Sequence, residues 1–311
     1  MNRFIIKTLT LGIIPVLFVI ATIVTYKYKI NNIKIDDSIH ILILGDSHTQ
    51  TGIDDSKIKN SLNVSQTAEH FLYSYNVLKL LLDNNPQIKK VILGVSFHSF
   101  SKSYDKYIHD EDKTAIMFPR YFPVLDFKSI KDINQVPLMH FNGIFKNSVT
   151  GLFNNSNIYN YSFIGTNYKS NISNLNDSTI NAAIQRHYYT ETGDVQNYSY
   201  YQVKYLNKIT ELCYTKNVEL IFINTPLHYS YYKKIPINFV TNYYSTILEF
   251  GDKIRLWDFH SVDFPKDYYG DGDHLNSYGA EKLSLIISER INEKELNTKA
   301  QHAIYSGGEA N

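Results

Sequence analysis

Apolar positions along the chain fall into three different rhythms, and each predicts a different kind of structure. The first is an unbroken run. From Thr8 to Tyr26 no charged residue occurs, and about 20 apolar residues are enough to cross a bilayer core as a helix. Gly12 and Pro15 lie inside this run; both are tolerated in membrane helices, and Lys7 can snorkel to the interface. A cleavable signal peptide would carry a shorter apolar region followed by a small-x-small site, whereas Ile20-Ala21-Thr22-Ile23 offers none. Residues 1–30 are therefore read as an uncleaved transmembrane anchor with its flanks, and 31–38 as a short polar stalk. Cationic residues stand on both sides of the span, so charge does not decide its orientation.

The second rhythm is a set of short β-rich runs alternating with segments of helical period. Ile39–Leu44 and Lys90–Val95 resemble buried parallel strands. Between them Phe71, Leu72, Tyr75, Leu78 and Leu82 recur at the spacing of a core-facing helix over 67–82, stopped before Pro86. The pattern returns as a helix over 201–215, a strand over 218–223, a helix over 239–250, a strand over 254–257 and a final helix over 277–291. Such alternation predicts a doubly wound α/β sheet. The third rhythm is none: about 101–197 shows scattered aromatics without sustained period, and reads as an insertion that carries short helices and caps one end of the sheet. The body is thus 39–296, and 297–311 reads as a disordered tail.

Composition narrows the function classes. A formal net charge of +1 and 20% charged residues give no footing for a nucleic-acid partner. The single cysteine, Cys213, has no partner for an internal disulfide or a cysteine-based metal site, and reads as a small buried apolar residue.

Candidate chemistry sits at the two ends of the body. Ser47 follows the first strand in Gly45-Asp46-Ser47-His48-Thr49, where a tight turn at the carboxyl edge of a sheet can present a hydroxyl to a ligand. Near the other end stands Asp271-Gly272-Asp273-His274-Leu275-Asn276, just before the last helix. A serine hydroxyl needs a base to take its proton, and the base needs an acceptor on its other ring nitrogen. Asp271, three residues ahead of His274, can supply that acceptor within one turn; Asp273, adjacent to the histidine, is the poorer orienter and suits a cap on the following turn.

These paired blocks resemble the first and fifth blocks of the SGNH/GDSL hydrolase family over about 39–294, and Asp-His-Leu-Asn-x-x-Gly-Ala is closest to SGNH modules of cell-surface O-acyltransferases. The resemblance implies an SGNH-like, flavodoxin-like sheet and a catalytic set of Ser47, Asp271 and His274. It also implies an extracytoplasmic body on a single-pass anchor and no cofactor or metal. Its partners would be the bilayer through residues 8–26, an acylated glycan or acyl donor, and a membrane acyltransferase. The middle blocks depart from the family. The stretch Asn63–Thr67 lacks the glycine that donates to the oxyanion, leaving Ser65 there, and Gly94-Val95-Ser96 carries a hydroxyl where the family has an amide. Ser65, Gly94 and Ser96 are accordingly expected near the oxyanion.

Rival readings remain at this level. Gly94-Val95-Ser96-Phe97-His98 resembles a truncated nucleophile elbow, which makes Ser96 a competing nucleophile. His48, His98 and His228 offer imidazoles to a metal, against a plainer role lining a cleft. Asp267, Asp271 and Asp273 do not fit a calcium loop, lacking its glycine and glutamate. Asn224 and His228 follow a strand at the ligand edge and are either substrate contacts or part of a turn, while Trp257 reads as core. Two function classes follow: an acyl-transferring enzyme, or a non-catalytic SGNH-like partner in a surface-polysaccharide assembly or export complex.

Overall fold

The computed structural model describes residues 2–133, 140–153, 158–165 and 170–306. Five strands form one parallel sheet: β1 Ile41–Leu44, β2 Ser61–Asn63, β3 Lys90–Gly94, β4 Glu219–Asn224 and β5 Arg255–Asp258, in the order β2-β1-β3-β4-β5. This is the flavodoxin-like arrangement, which reverses direction beside β1 and so creates a crevice between the carboxyl ends of β1 and β3. Pairing is in register from Ile41 opposite Lys90 to Leu44 opposite Leu93, and from Lys90 opposite Glu219 to Gly94 opposite Ile223. β1 is buried throughout and β3 from Val91 onward, as their apolar runs require.

Helices cover both faces. One core gathers α3 (Phe71–Asn84), α9 (Tyr200–Thr215) and α11 (Ile237–Leu248) against Leu42, Leu44, Leu93 and Phe222. The other packs α12 (Ser277–Ser306) through Leu283 and Ile287 onto Ile43, Ile92, Ile223 and Trp257. Trp257 is thus core, and Cys213 on α9 is buried in the first cluster. Between β1 and β3 the chain makes more than one helix: α2 (Ser47–Gly52) and the short edge strand β2 intervene before α3. Helix α12 continues to Ser306, into the stretch read from sequence as a tail; residues 307–311 lie outside the described residues.

Residues 101–197 contain α4 (Lys106–His109), α5 (Glu111–Tyr121), α6 (Phe127–Lys131), α7 (Phe141–Phe153) and α8 (Asp177–Tyr188), and a further short helix, α10 (Tyr229–Tyr232), follows β4. At the amino end α1 covers Asn2–Asn31, and from Ile13 it is long and apolar enough to span a membrane. Its last turns join the body: Tyr26 and Ile30 are buried in the first core. Residues 31–38 are held against that body too, with Ile33 and Ile35 buried and the Ile35 amide donating to Asn85 Oδ1 at 2.9 Å.

Candidate active site

Gly45 ends β1 with φ +139°, a conformation that disfavours any side chain, and a Cβ there would stand 2.5 Å from Thr49 Oγ1. The chain can therefore turn sharply and start α2 at once. Asp46 caps that helix, its Oδ1 accepting from the His48 amide at 2.9 Å, which leaves Ser47 in the first turn, at the carboxyl edge.

Across the edge, Asp271 folds back on its own turn. Its Oδ1 accepts from the amides of Asp273 (3.0 Å) and His274 (2.9 Å), so the carboxylate is fixed before it meets the ring. His274 Nδ1 lies 3.0 Å from Asp271 Oδ1, and His274 Nε2 lies 2.8 Å from Ser47 Oγ. Residues 227 positions apart are thereby joined in one hydrogen-bonded line at the mouth of a cleft, which Thr51, Ile172 and Leu275 also line. An imidazole in this position can take a hydroxyl proton while its other nitrogen stays donated to a carboxylate.

Beneath this line is a buried layer that spacing alone did not reveal. Asp273 does not cap the next helix; Asn276 does, accepting from the amides of Tyr278 and Gly279. Asp273 instead points inward, and among the described residues neither of its carboxylate oxygens has a hydrogen-bond partner. Three imidazoles surround it: His48 Nε2 at 3.4 Å, His187 Nδ1 at 3.6 Å and His274 Nδ1 at 3.6 Å. Asp46 completes the layer, accepting from His98 Nε2 at 2.8 Å and the Tyr104 hydroxyl at 2.9 Å. The rings follow one another in a row, with centroids 4.7 Å apart for the stacked pair His187–His98, and 4.2 Å for His98–His48 and 4.6 Å for His48–His274, both tilted.

The electrostatics follow from this crowding. Burial works against the charge of His274, yet the carboxylates of Asp273, Asp271 and Asp46 outweigh it and raise its pKa to about 9. Burial also disfavours the charge on Asp46, but His98 and His48 hold that carboxyl well below the usual range. His48 and His187 are shifted downward, chiefly because they are buried and near other imidazoles.

The expected oxyanion residues are not brought to the cleft. The Ser65 amide donates to Asn63 Oδ1 at 3.0 Å, and its buried hydroxyl has no hydrogen-bond partner among the described residues. Gly94 packs under Thr49, where a Cβ would lie 2.6 Å from Thr49 Cγ2. Ser96 is 3% exposed and locked in a capping box with Ser99, so neither an oxyanion contact nor a nucleophile is presented there. Of the proposed metal trio, His48 and His98 lie ring against ring at a tilt, while His228 sits apart, capping α10 and edging Tyr269. Asp46, His48 and His98 do bring one ligand atom each within 4.8 Å of the others, as do His48, Asp273 and His274. Asn224 is fully buried at the end of β4.

Residues 182–296, which include Asp271 and His274, match a protein-family model. No curated protein matches the chain. Among solved structures it is similar to a candidate platelet activating factor from Streptococcus pneumonia, at 12% identity over 90% of this chain and 96% of that one, with a TM-score of 0.40. It is also similar to a candidate acylhydrolase from Bacteroides fragilis NCTC 9343, at 11% identity over 82% of this chain and 86% of that one, with a TM-score of 0.36.

Proposed function

We propose that this chain is a membrane-anchored serine esterase or O-acyltransferase of the SGNH type, working on acyl esters, with acetyl as the expected group, of a cell-surface glycan. The observation that carries the reading is the line from Ser47 Oγ through His274 to Asp271, at 2.8 and 3.0 Å. In the proposed reaction His274 Nε2 takes the Ser47 proton as Oγ attacks the ester carbonyl. Asp271 holds the ring and balances the imidazolium. His274 then returns the proton to the departing alcohol, and the acyl group passes from Ser47 to a sugar hydroxyl or to water. The first turn of α2 supplies the Ser47 amide as oxyanion donor, since the first amides of a helix have no partner inside it. With Ser65 and Ser96 engaged elsewhere, stabilisation rests on fewer donors than in a full oxyanion hole, and each missing donor costs on the order of 10²–10³ in rate.

That engagement also favours a second reading, a non-catalytic SGNH-like partner in a glycan assembly or export complex. One assay separates the two. Purified protein should hydrolyse p-nitrophenyl acetate at a rate that Ser47→Ala abolishes; identical rates for both proteins would leave the non-catalytic reading in place.

A further inference from the structure

The direction in which α1 leaves the body is set by its contacts. Helix α3 connects β2 to β3, so its carboxyl end lies at the amino edge of the sheet. Asn84, the last residue of α3, donates to Asn31 O at 2.8 Å, which places the end of α1 at that amino edge. Further back, Lys27 Nζ reaches Leu125 O at 3.2 Å, and the neighbouring Asp126 amide is bonded to Asn76 Oδ1, midway along α3. Tyr26 lies over Gly151, where a Cβ would stand 2.1 Å from its ring, and hydrogen-bonds Ser162. The Ser162 carbonyl accepts from Gln66 Nε2 at 3.4 Å, and the Gln66 amide donates to Gly45 O at the carboxyl end of β1. From Asn31 back through Tyr26, α1 thus climbs from the amino edge toward the carboxyl edge. Continued toward its amino end past the Phe18–Phe145 contact, α1 runs beyond the edge that carries Ser47 and His274.

The projecting part is the apolar one. Phe18 is eight positions from Tyr26, or about 12 Å along a helix, and it meets Phe145 of α7 with ring centroids 6.4 Å apart. Ile13, Ile14, Val16, Leu17 and Phe18 are all more than half exposed. No spacer lifts the body away, because Ile33 and Ile35 are buried in it and Lys27 and Lys29 are tied to its carbonyls. On the same edge Ile172, at the mouth of the Ser47 cleft, is 75% exposed.

We infer that the cleft opens toward the bilayer surface and that the acylated glycan it acts on is lipid-borne, an amphiphile whose apolar part stays in the membrane while the ester reaches Ser47. The substrate class rests on the reading of Ser47 given above; the orientation does not. Both are tested on the full chain reconstituted in phosphatidylcholine–phosphatidylglycerol vesicles doped with a nickel-chelating lipid. A nitroxide is attached at Ile172→Cys or, at the amino edge, at Asp252→Cys; Cys213 is buried, with its thiol pushed up to about 12 by that burial, and does not compete for the label. Nickel at the bilayer surface should relax the label at 172 severalfold more than the label at 252. Equal or reversed relaxation overturns the orientation. In the same vesicles, Ser47-dependent cleavage of an acetyl ester on a lipid should exceed cleavage of the same acetyl group on a water-soluble alcohol by tenfold or more. Equal rates overturn the substrate class. Cleavage of neither removes the reading of Ser47 and the substrate with it, while relaxation still decides which edge faces the lipid.

Discussion

Two adjacent strands of this sheet end in the same way and come to opposite ends. β1 runs into Gly45-Asp46-Ser47 and β3 into Gly94-Val95-Ser96, side by side at the carboxyl edge. After β1 the residue between glycine and serine is an aspartate that caps α2, so the serine falls half-buried in the first turn, at the cleft and facing His274. After β3 that residue is a buried valine, and the serine itself becomes the cap of a 3₁₀ turn, Phe97–Phe100, whose residues are all buried. A strand-end serine is made available by which residue does the capping, and it becomes a candidate nucleophile only when a base approaches from elsewhere in the fold. Thr49 packs against both turns, its side chain filling the space over Gly45 and Gly94.

Substitutions can break this contrast or sharpen it. Ser47→Ala should lower turnover by about 10⁶, measured on a short-chain ester, and a loss of similar size from Ser96→Ala would dissolve the distinction. Asp271→Asn should keep the fold and lower kcat by about 10⁴, since it spoils the tautomer that His274 must hold; circular dichroism with steady-state kinetics checks both halves. Gly94→Ala forces a methyl to within 2.6 Å of Thr49 Cγ2 and should cost about 1–3 kcal/mol in a urea titration.

A pH profile sharpens the account of the buried layer. As a base His274 must be neutral, so with a pKa of about 9 its active fraction grows as pH rises toward that value. The rate kcat/KM should therefore climb from neutral pH and level off above about 9. Asp273→Asn removes the carboxylate that raises His274 most and should move the rising limb down by about one pH unit, or ~1.4 kcal/mol. An unmoved limb would mean that Asp273 does not act on His274. The smallest effect is expected at Ser96→Ala, about 1 kcal/mol of stability from the lost cap, with turnover per folded molecule retained.

Much of this architecture was legible because buried parallel strands leave continuous apolar runs: Ile39–Leu44, Lys90–Val95 and the strand now seen at Glu219–Asn224 stand out at once. β2 did not, because Ser61-Leu62-Asn63 is short, mostly polar and at the sheet edge, where pairing with β1 rather than composition makes it a strand. α2 was hidden for a related reason, since its six residues read equally well as a turn. At the candidate site, the residue types and spacing of Ser47, Asp271 and His274 pointed to chemistry by local logic. Asp273 and His187 carried no such signal. Their meeting at 3.6 Å depends on α8 returning from the stretch 101–197 to lie against the turn before α12, a long-range packing outcome. The oxyanion expectation for Ser65 and Ser96 misread the same level: which amide is free depends on nearby side chains, and Asn63 and Ser99 take these two.

The central claim is that Ser47, and not another hydroxyl at this edge, is the activated one. Reaction of the full chain with a fluorophosphonate, followed by peptide mapping of the adduct, tests it directly. One phosphonylated residue is expected, Ser47, with labelling that vanishes in His274→Ala; an adduct on Ser96 or Ser65, or undiminished labelling without His274, would contradict this assignment.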